Sequence, residues 1–271
     1  METKPKKKGR KAVVMALIVL LLLTMWFAFC GYQWSWGPFF ELHNYKMLSN
    51  PGNAEEYSLA NIEVLENSPI KGKRILFLGS SITYGTGSVG VSFADYICQR
   101  NDAIMIKEAV AGTTLIDNGA NSYISRMKRL DPNMQVDLFV CQLSTNDGWK
   151  DSPLGEVCES NELQDLDTGS ITGAIEYIIA YVRQTWDCPV VFYTNSRFEG
   201  EKYDLMVTRL HEVAQKWDVI VIDMWNDDQF NEISAEQKKL YMADDIHPAQ
   251  AGYLKWWVPY MEPYLYAALD E

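Results

Sequence analysis

The sequence predicts an α/β protein, a doubly wound three-layer α/β/α sandwich with a mainly parallel five-stranded sheet, preceded by one N-terminal transmembrane helix. Three observations carry that reading. An uncharged apolar run stands near the N-terminus; five short, nearly continuous apolar runs follow, their starts 28 or more residues apart; and apolar residues recur at helical period between them. Runs so widely spaced cannot form hairpins and fit strands joined by crossover helices.

A length of 271 residues allows one large domain or two small ones. With 48% hydrophobic and 22% charged residues, disordered and collagen-like chains are excluded. The net charge of -12 is unevenly spread. Residues 1–11 hold six cations (Lys4, Lys6, Lys7, Lys8, Arg10, Lys11) against Glu2 alone. That leaves 18 cations and 35 anions, or -17, in the remainder. A body that acidic repels phosphate backbones, so no nucleic-acid partner is expected.

Residues 1–11 read as a cytoplasmic basic tail. Ala12 to Cys30 is free of charge, and the next charged side chain is Glu41. Nineteen helical residues rise roughly 28 Å, close to the ~30 Å hydrocarbon core. Trp26, Phe27, Tyr32, Trp34 and Trp36 crowd its far end, where amphipathic rings favour the headgroup zone. The lipid bilayer is therefore an expected partner of residues 12–33, with the N-terminus inside and residues 41–271 outside. The competing reading is a signal peptide cleaved to release a secreted protein. Against it, the apolar run exceeds the usual ~7–15 residues and Phe27-Ala28-Phe29-Cys30-Gly31 is a poor cleavage site.

Residues 34–70 are mixed and polar, with a turn signal at Asn50-Pro51-Gly52, and read as a stalk and lead-in to a domain at 71–271. The strand runs are Ile75–Leu78, Ala103–Ile106, Leu138–Leu143, Val190–Tyr193 and Val219–Ile222. Each reads as a strand buried on both faces, Gln142 being the one polar interruption. Ile171, Ala174, Ile175, Ile178, Ile179, Val182 and Trp186 form one helical stripe; Tyr203, Met206, Leu210, Val213 and Trp217 form a second. Both are core packing. Gly148 to Thr168 is irregular and acidic, a loop expected beside the site. Cys98 and Cys141 read as buried thiols, and Cys158–Cys188 is the one pairing an oxidising exterior would suggest. No C-x-x-C or His-x-x-x-His spacing points to a metal, and no cofactor is expected.

In open parallel sheets, ligands bind beyond the carboxyl ends of the strands. The first strand ends in Gly79-Ser80-Ser81-Ile82-Thr83-Tyr84-Gly85, the second in Glu108-Ala109-Val110-Ala111-Gly112-Thr113-Thr114 and the third in Ser144-Thr145-Asn146-Asp147. These ends are mostly small, hydroxyl or amide residues. Of three histidines, His43 lies in the lead-in and His211 inside a helical stripe, which leaves His247 in Asp244-Asp245-Ile246-His247-Pro248 as the base for a serine. A carboxylate three residues earlier can accept Nδ1–H and leave Nε2 free for that proton. Taken singly, Ser81 could be a helix N-cap, Gly112 a turn glycine and Asn146 a cap.

Together, Gly79-Ser80-Ser81-Ile82, Gly112, Asn146 and Asp244-x-x-His247-Pro248 resemble the SGNH (GDSL-type) hydrolases, in the family's order, over about residues 71–268. The resemblance implies Ser81 as nucleophile, His247 as general base and acid, and Asp244 as its orienting partner. It implies an oxyanion hole made of the Ser81 and Gly112 N–H groups and the Asn146 side-chain amide. Such donors must be fixed before charge develops on the oxygen. Four positions depart from the pattern: Ser80 replaces an acid, Ser144 and Asp245 replace glycines, and Lys107-Glu108 stand where an asparagine is common. Asp245 is a second carboxylate near His247, so Asp244 is preferred on the resemblance. Thr83, Thr113, Thr145 and Asp147 read as supporting or capping groups. Trp149 and the terminal aromatics Trp256, Trp257, Tyr260, Tyr264 and Tyr266 read as packing.

The expected activity is that of a membrane-anchored serine hydrolase cleaving carboxylic esters through an acyl-serine intermediate. Exposure to the exterior suggests small-molecule or glycan esters, small acyl groups on carbohydrate above all. The alternatives are an O-acyltransferase of the same fold, in which a sugar hydroxyl replaces water, and a non-catalytic binding module. Phosphate binding at Gly79–Gly87 is disfavoured, since that loop lacks lysine and the G-x-x-x-x-G-K-[ST] spacing.

Overall fold

Five strands form one wholly parallel sheet of order β2-β1-β3-β4-β5 in a computed structural model that describes residues 8–34, 37–39 and 41–270. Lys4, Lys6, Lys7 and Trp36 lie outside the described residues. The chain divides into two units, residues 1–50 and 51–271.

The first unit contains helix α1 (Lys8–Trp34) and helix α2 (Leu42–Leu48). Within α1, Gly9–Gln33 contains an 18-residue stretch of mean hydropathy 2.8 and is long and apolar enough to cross a membrane by length and composition. A signal sequence meets the same description.

In the second unit, strand β1 (Arg74–Gly79) leads into the one-turn helix α3 (Ser81–Tyr84), then α4 (Phe93–Asn101) and β2 (Ile104–Ala109). Helix α5 (Tyr123–Met127), strand β3 (Leu138–Gln142) and the short α6 (Thr145–Trp149) follow. Next come α7 (Ile171–Thr185), β4 (Val190–Tyr193), α8 (Glu201–Trp217) and β5 (Ile220–Ile222). The chain closes with α9 (Asp228–Asn231), α10 (Ala235–Tyr241), α11 (Gln250–Gly252), a π-helical turn at Tyr253–Trp257 and α12 (Val258–Asp270).

Alternation along the strands builds the three layers. Leu76, Leu78, Phe139, Cys141 and Phe192 face a core shared with α5, α7 and α8. Ile75, Phe77, Leu138, Val140 and Val191 face the opposite core, against α4 and α12. A strand covered on both sides has no use for polar alternation, which is why its sequence reads as one apolar run. The expectation of burial on both faces fails for β2, where Ile104 is 47% exposed and Met105 36%. Each is an edge residue with a neighbouring strand on one side only. Strand order reverses between β1 and β3, so the crevice at a topological switch point opens beyond their carboxyl ends.

Two further expectations change. Residues 51–70 are joined to the fold they were expected to lead into. Asn53 donates to the Gly87 carbonyl (2.9 Å) and accepts from the Gln250 N–H (2.8 Å), and the Tyr57 carbonyl accepts from Tyr96 OH (2.6 Å). Cys158 and Cys188 are not bridged, and all five cysteines are free. Cys158 N–H donates to Glu176 in the first half of α7, whereas Cys188 follows the far end of that helix. Burial pushes the Cys98 and Cys188 thiols up to about 12, which makes them inert. The acidic loop is fastened: Leu154, Val157 and Leu163 pack on the core, and Lys216 Nζ donates to the Cys158 and Ser160 carbonyls.

Candidate active site

Strand β1 ends in a sharp turn that delivers Ser81 to the first position of α3. Gly79 is required there because a Cβ would collide with Thr83 Oγ1 and reach 2.9 Å from Gln142 Oε1. Gln142, at the end of β3, fixes the turn. Its Oε1 accepts from Ser80 N–H (2.8 Å), Thr83 Oγ1 (2.9 Å), Ser80 Oγ (3.3 Å) and Thr83 N–H (3.4 Å). As the first helical residue, Ser81 has an N–H with no intrahelical acceptor.

Ser81 Oγ lies 2.8 Å from His247 Nε2. His247 Nδ1 lies 2.8 Å from Asp244 Oδ2 and 3.0 Å from Oδ1. The same carboxylate accepts the N–H groups of Ile246 (2.9 Å) and His247 (2.8 Å), so a tight turn holds both side chains. Desolvation raises the Asp244 carboxyl, but the His247 ring and these two N–H groups more than offset it and hold the pKa at about 2. Asp245 makes no hydrogen bond or ion pair among the described residues. Chemistry thus separates two carboxylates that the sequence left side by side. Ala243 N–H donates to the His247 carbonyl (2.8 Å), closing the loop. Gly87 lets the segment after α3 approach it, since a Cβ there would come within 2.9 Å of His247 Cβ and 2.7 Å of the Pro248 carbonyl.

Gly112 has φ +76, the left-handed region that favours glycine. Asn146 Nδ2 donates one hydrogen to the Thr113 carbonyl (2.9 Å), which sets this amide against the turn carrying Gly112 and leaves its other hydrogen free to donate. The Gly112 N–H makes no hydrogen bond among the described residues. Lys150 Nζ grips the Gly112 carbonyl (2.7 Å). Asp147, fully buried, accepts from Leu115 N–H (2.7 Å) and ties the end of β3 to the same turn. Burial pushes its carboxyl up, against the opposing pull of that N–H.

Beside Asp244 opens a cleft of about 890 Å³ whose walls include Trp149, Phe198, Trp256, Glu199, Lys238 and Asp245. Trp149 is 68% exposed on the wall of this cleft. Trp257 is fully buried, as a packing residue should be, and Trp256 stacks on Phe230 at 4.6 Å. His211 pairs with Asp223 (2.6 Å) away from these groups. Among the described residues no cluster of histidine, cysteine and acids could hold a metal. Sequence reasoning missed the structural roles of Gln142 and Gly87. Gln142 had a signal, being the one polar residue in an apolar strand; Gly87 had none.

Residues 77–255 match the family model of the GDSL-like lipase/acylhydrolases. No curated protein matches significantly. Solved structures share the fold. A protein from Lactobacillus plantarum is 18% identical (TM-score 0.60; 73% of this chain and 98% of that one). A protein from Bacteroides ovatus described as a GDSL-like lipase is 17% identical (TM-score 0.54; 72% and 98%). A family two carbohydrate esterase from Clostridium thermocellum, solved with cellohexaose, is 16% identical (TM-score 0.50; 75% and 66%).

Proposed function

This chain belongs to the GDSL-like lipase/acylhydrolase family, and on that premise we propose that it cleaves carboxylic esters through an acyl-serine intermediate. The observation that carries the reading is the 2.8 Å contact between Ser81 Oγ and His247 Nε2. His247 takes the proton as Ser81 Oγ attacks the ester carbonyl, then returns it to the leaving alcohol. Asp244 holds the ring in the tautomer with Nδ1–H and stabilises the imidazolium. The N–H groups of Ser81 and Gly112 and the free amide hydrogen of Asn146 receive the oxyanion. Water, activated by the same imidazole, then releases the acyl group and regenerates Ser81.

The substrate is a small acyl ester of a carbohydrate. The cleft beside Asp244 is far larger than an acetyl group needs and combines an exposed tryptophan with unpaired polar side chains, the mixture that suits a sugar's alternating faces. The structural likeness to a carbohydrate esterase supports the same reading. An open cleft could also admit an acceptor hydroxyl in place of water, which is the acyltransferase alternative. The Gly9–Gln33 helix then anchors the enzyme in a bilayer, with the basic tail 1–11 inside and the catalytic unit outside.

The test is hydrolysis of an aryl acetate and of an acetylated oligosaccharide by the full chain in detergent, beside Ser81→Ala. Ser81→Ala should lower turnover at least 10³-fold while leaving the fold unchanged. Undiminished turnover by that variant would refute the mechanism. Acyl transfer to added glycan exceeding hydrolysis would replace the esterase label with the transferase one.

A further inference from the structure

We propose that Arg126 is a positioning residue of this site: its guanidinium, enclosed in the domain, sets the turn that carries Gly112 against the strand that delivers Ser81. The proposal rests on the hydrolase reading and extends it to a residue that touches no reacting atom.

The Arg126 side chain is 1% exposed. A guanidinium has five N–H donors in a rigid planar fork, and here each has an acceptor. Nε donates to the Asn121 carbonyl (3.0 Å). Nη1 donates to the Glu108 carbonyl (2.8 Å) and to Glu108 Oε1 (3.1 Å). Nη2 donates to the Gly79 carbonyl (2.7 Å) and to Thr113 Oγ1 (3.2 Å). One flat group thus joins the end of β1, the end of β2 and the turn after β2. Gly79 stands two residues before Ser81, and Thr113 directly follows Gly112.

Burying a cation is costly even when it is paired, and an apolar side chain would fill the same volume without that cost. What an apolar residue cannot do is fix the angle between two strand ends and the turn that follows one of them. Lysine cannot do it either, being a point charge without a fork. The arrangement also accounts for Lys107 and Glu108, two of the residues that depart from the family pattern. Glu108 supplies the carboxylate facing Arg126, while Lys107 turns to Asp95 (2.6 Å). Donors for an oxyanion act by being fixed beforehand, and a displacement of about 1 Å can cost ~100-fold in rate. A group that holds the Gly112 turn to β1 therefore governs the rate without touching the substrate.

The experiment compares the full-length protein with Arg126→Lys and Thr113→Val, using a fluorophosphonate that esterifies an activated serine with loss of fluoride. The amount bound counts competent sites; the rate of binding and kcat for an aryl acetate report on each site. Arg126→Lys should lower kcat and the phosphonylation rate per site together, about 10–100-fold, with KM within about twofold and the pH profile unmoved. Thr113→Val, which removes one acceptor of Arg126 together with the bond from Thr113 Oγ1 to the Val110 carbonyl (2.6 Å) and serves if Arg126→Lys does not fold, should lower both about 3–10-fold, and Thr113→Ser, which keeps both bonds, should restore them. Wild-type rates per titrated site in Arg126→Lys, with only fewer sites or a lower melting temperature, would overturn the proposal and leave the hydrolase reading standing. The same holds for wild-type rates in Thr113→Val. No labelling of Ser81 in the wild type would overturn both readings.

Discussion

Replacing Gln142 by leucine tests whether one buried amide holds the nucleophile turn. The side chains are similar in size, so with little change of volume the change removes the Oε1 acceptor and also the buried Nε2, which has no hydrogen-bond partner among the described residues. Four donors lose their partner. They are not equally helpless. Thr83 Oγ1 already lies 2.6 Å from Tyr193 OH, and the Ser80 hydroxyl can rotate. The two backbone N–H groups cannot turn away, and the Ser80 contact at 2.8 Å is the stronger. A buried donor left without a partner costs about 1–3 kcal/mol. One full loss and one partial loss, offset in part by removal of the orphaned Nε2, give about 1–3 kcal/mol, a sizeable share of the ~5–15 kcal/mol that holds a domain folded. For a domain of this size that lowers the melting temperature by roughly 2–12 °C. Urea and thermal unfolding followed by tryptophan fluorescence would measure the loss. Turnover per folded molecule should fall as well, about 10–100-fold, because Ser81 rides on the loosened turn. A Gln142→Leu protein within about 0.5 kcal/mol of wild type would refute the reasoning, because four hydrogen bonds to one oxygen would then contribute nothing net.

Two other outcomes follow from the site. Asn146→Ala should lower kcat about 10²–10³-fold, the usual loss for one oxyanion donor, and a loss under about fivefold would exclude the amide from that role. Asp244→Asn should lower kcat up to ~10⁴-fold by upsetting the tautomer of His247, which kinetics at neutral pH would reveal. The carboxyl of Asp244 is depressed to about 2, so its contribution to stability is complete above the unfolded value near 3.8 and is lost as pH falls through about 2. Asp244 therefore stays ionised from pH 5 to 8, and thermal unfolding across that window should show no loss of stability from this carboxyl.

Much of this architecture was legible in the residues. The three central strands are sandwiched between helices, so their sequences carry an uninterrupted apolar signal. The edge strand β2 misled because its outer residues remain exposed for want of a neighbour. Residues 51–70 looked like a lead-in because their attachments to the domain are made largely by polar groups: Asn53 to Gly87 and Gln250, and Leu65 N–H to the Arg100 carbonyl (2.7 Å). Hydropathy is blind to such bonds. At the site, Ser81, Asp244 and His247 stand out because the proposed nucleophile, orienter and base each need a distinctive residue type. The layer behind them does not. Gln142 meets Ser80 from 62 residues away and Arg126 meets Gly79 from 47, and nothing local in the sequence marks either partner.

The hydrogen bond between Ser81 and His247 spans 166 residues, and His247 is held in a loop just ahead of the last helices. His247 is made after every strand of the sheet. A chain stopped ahead of residue 247 would carry Ser81, Gly112 and Asn146, the proposed oxyanion donors, and lack the proposed proton acceptor. On the proposed mechanism such a fragment has no partner for Ser81 Oγ.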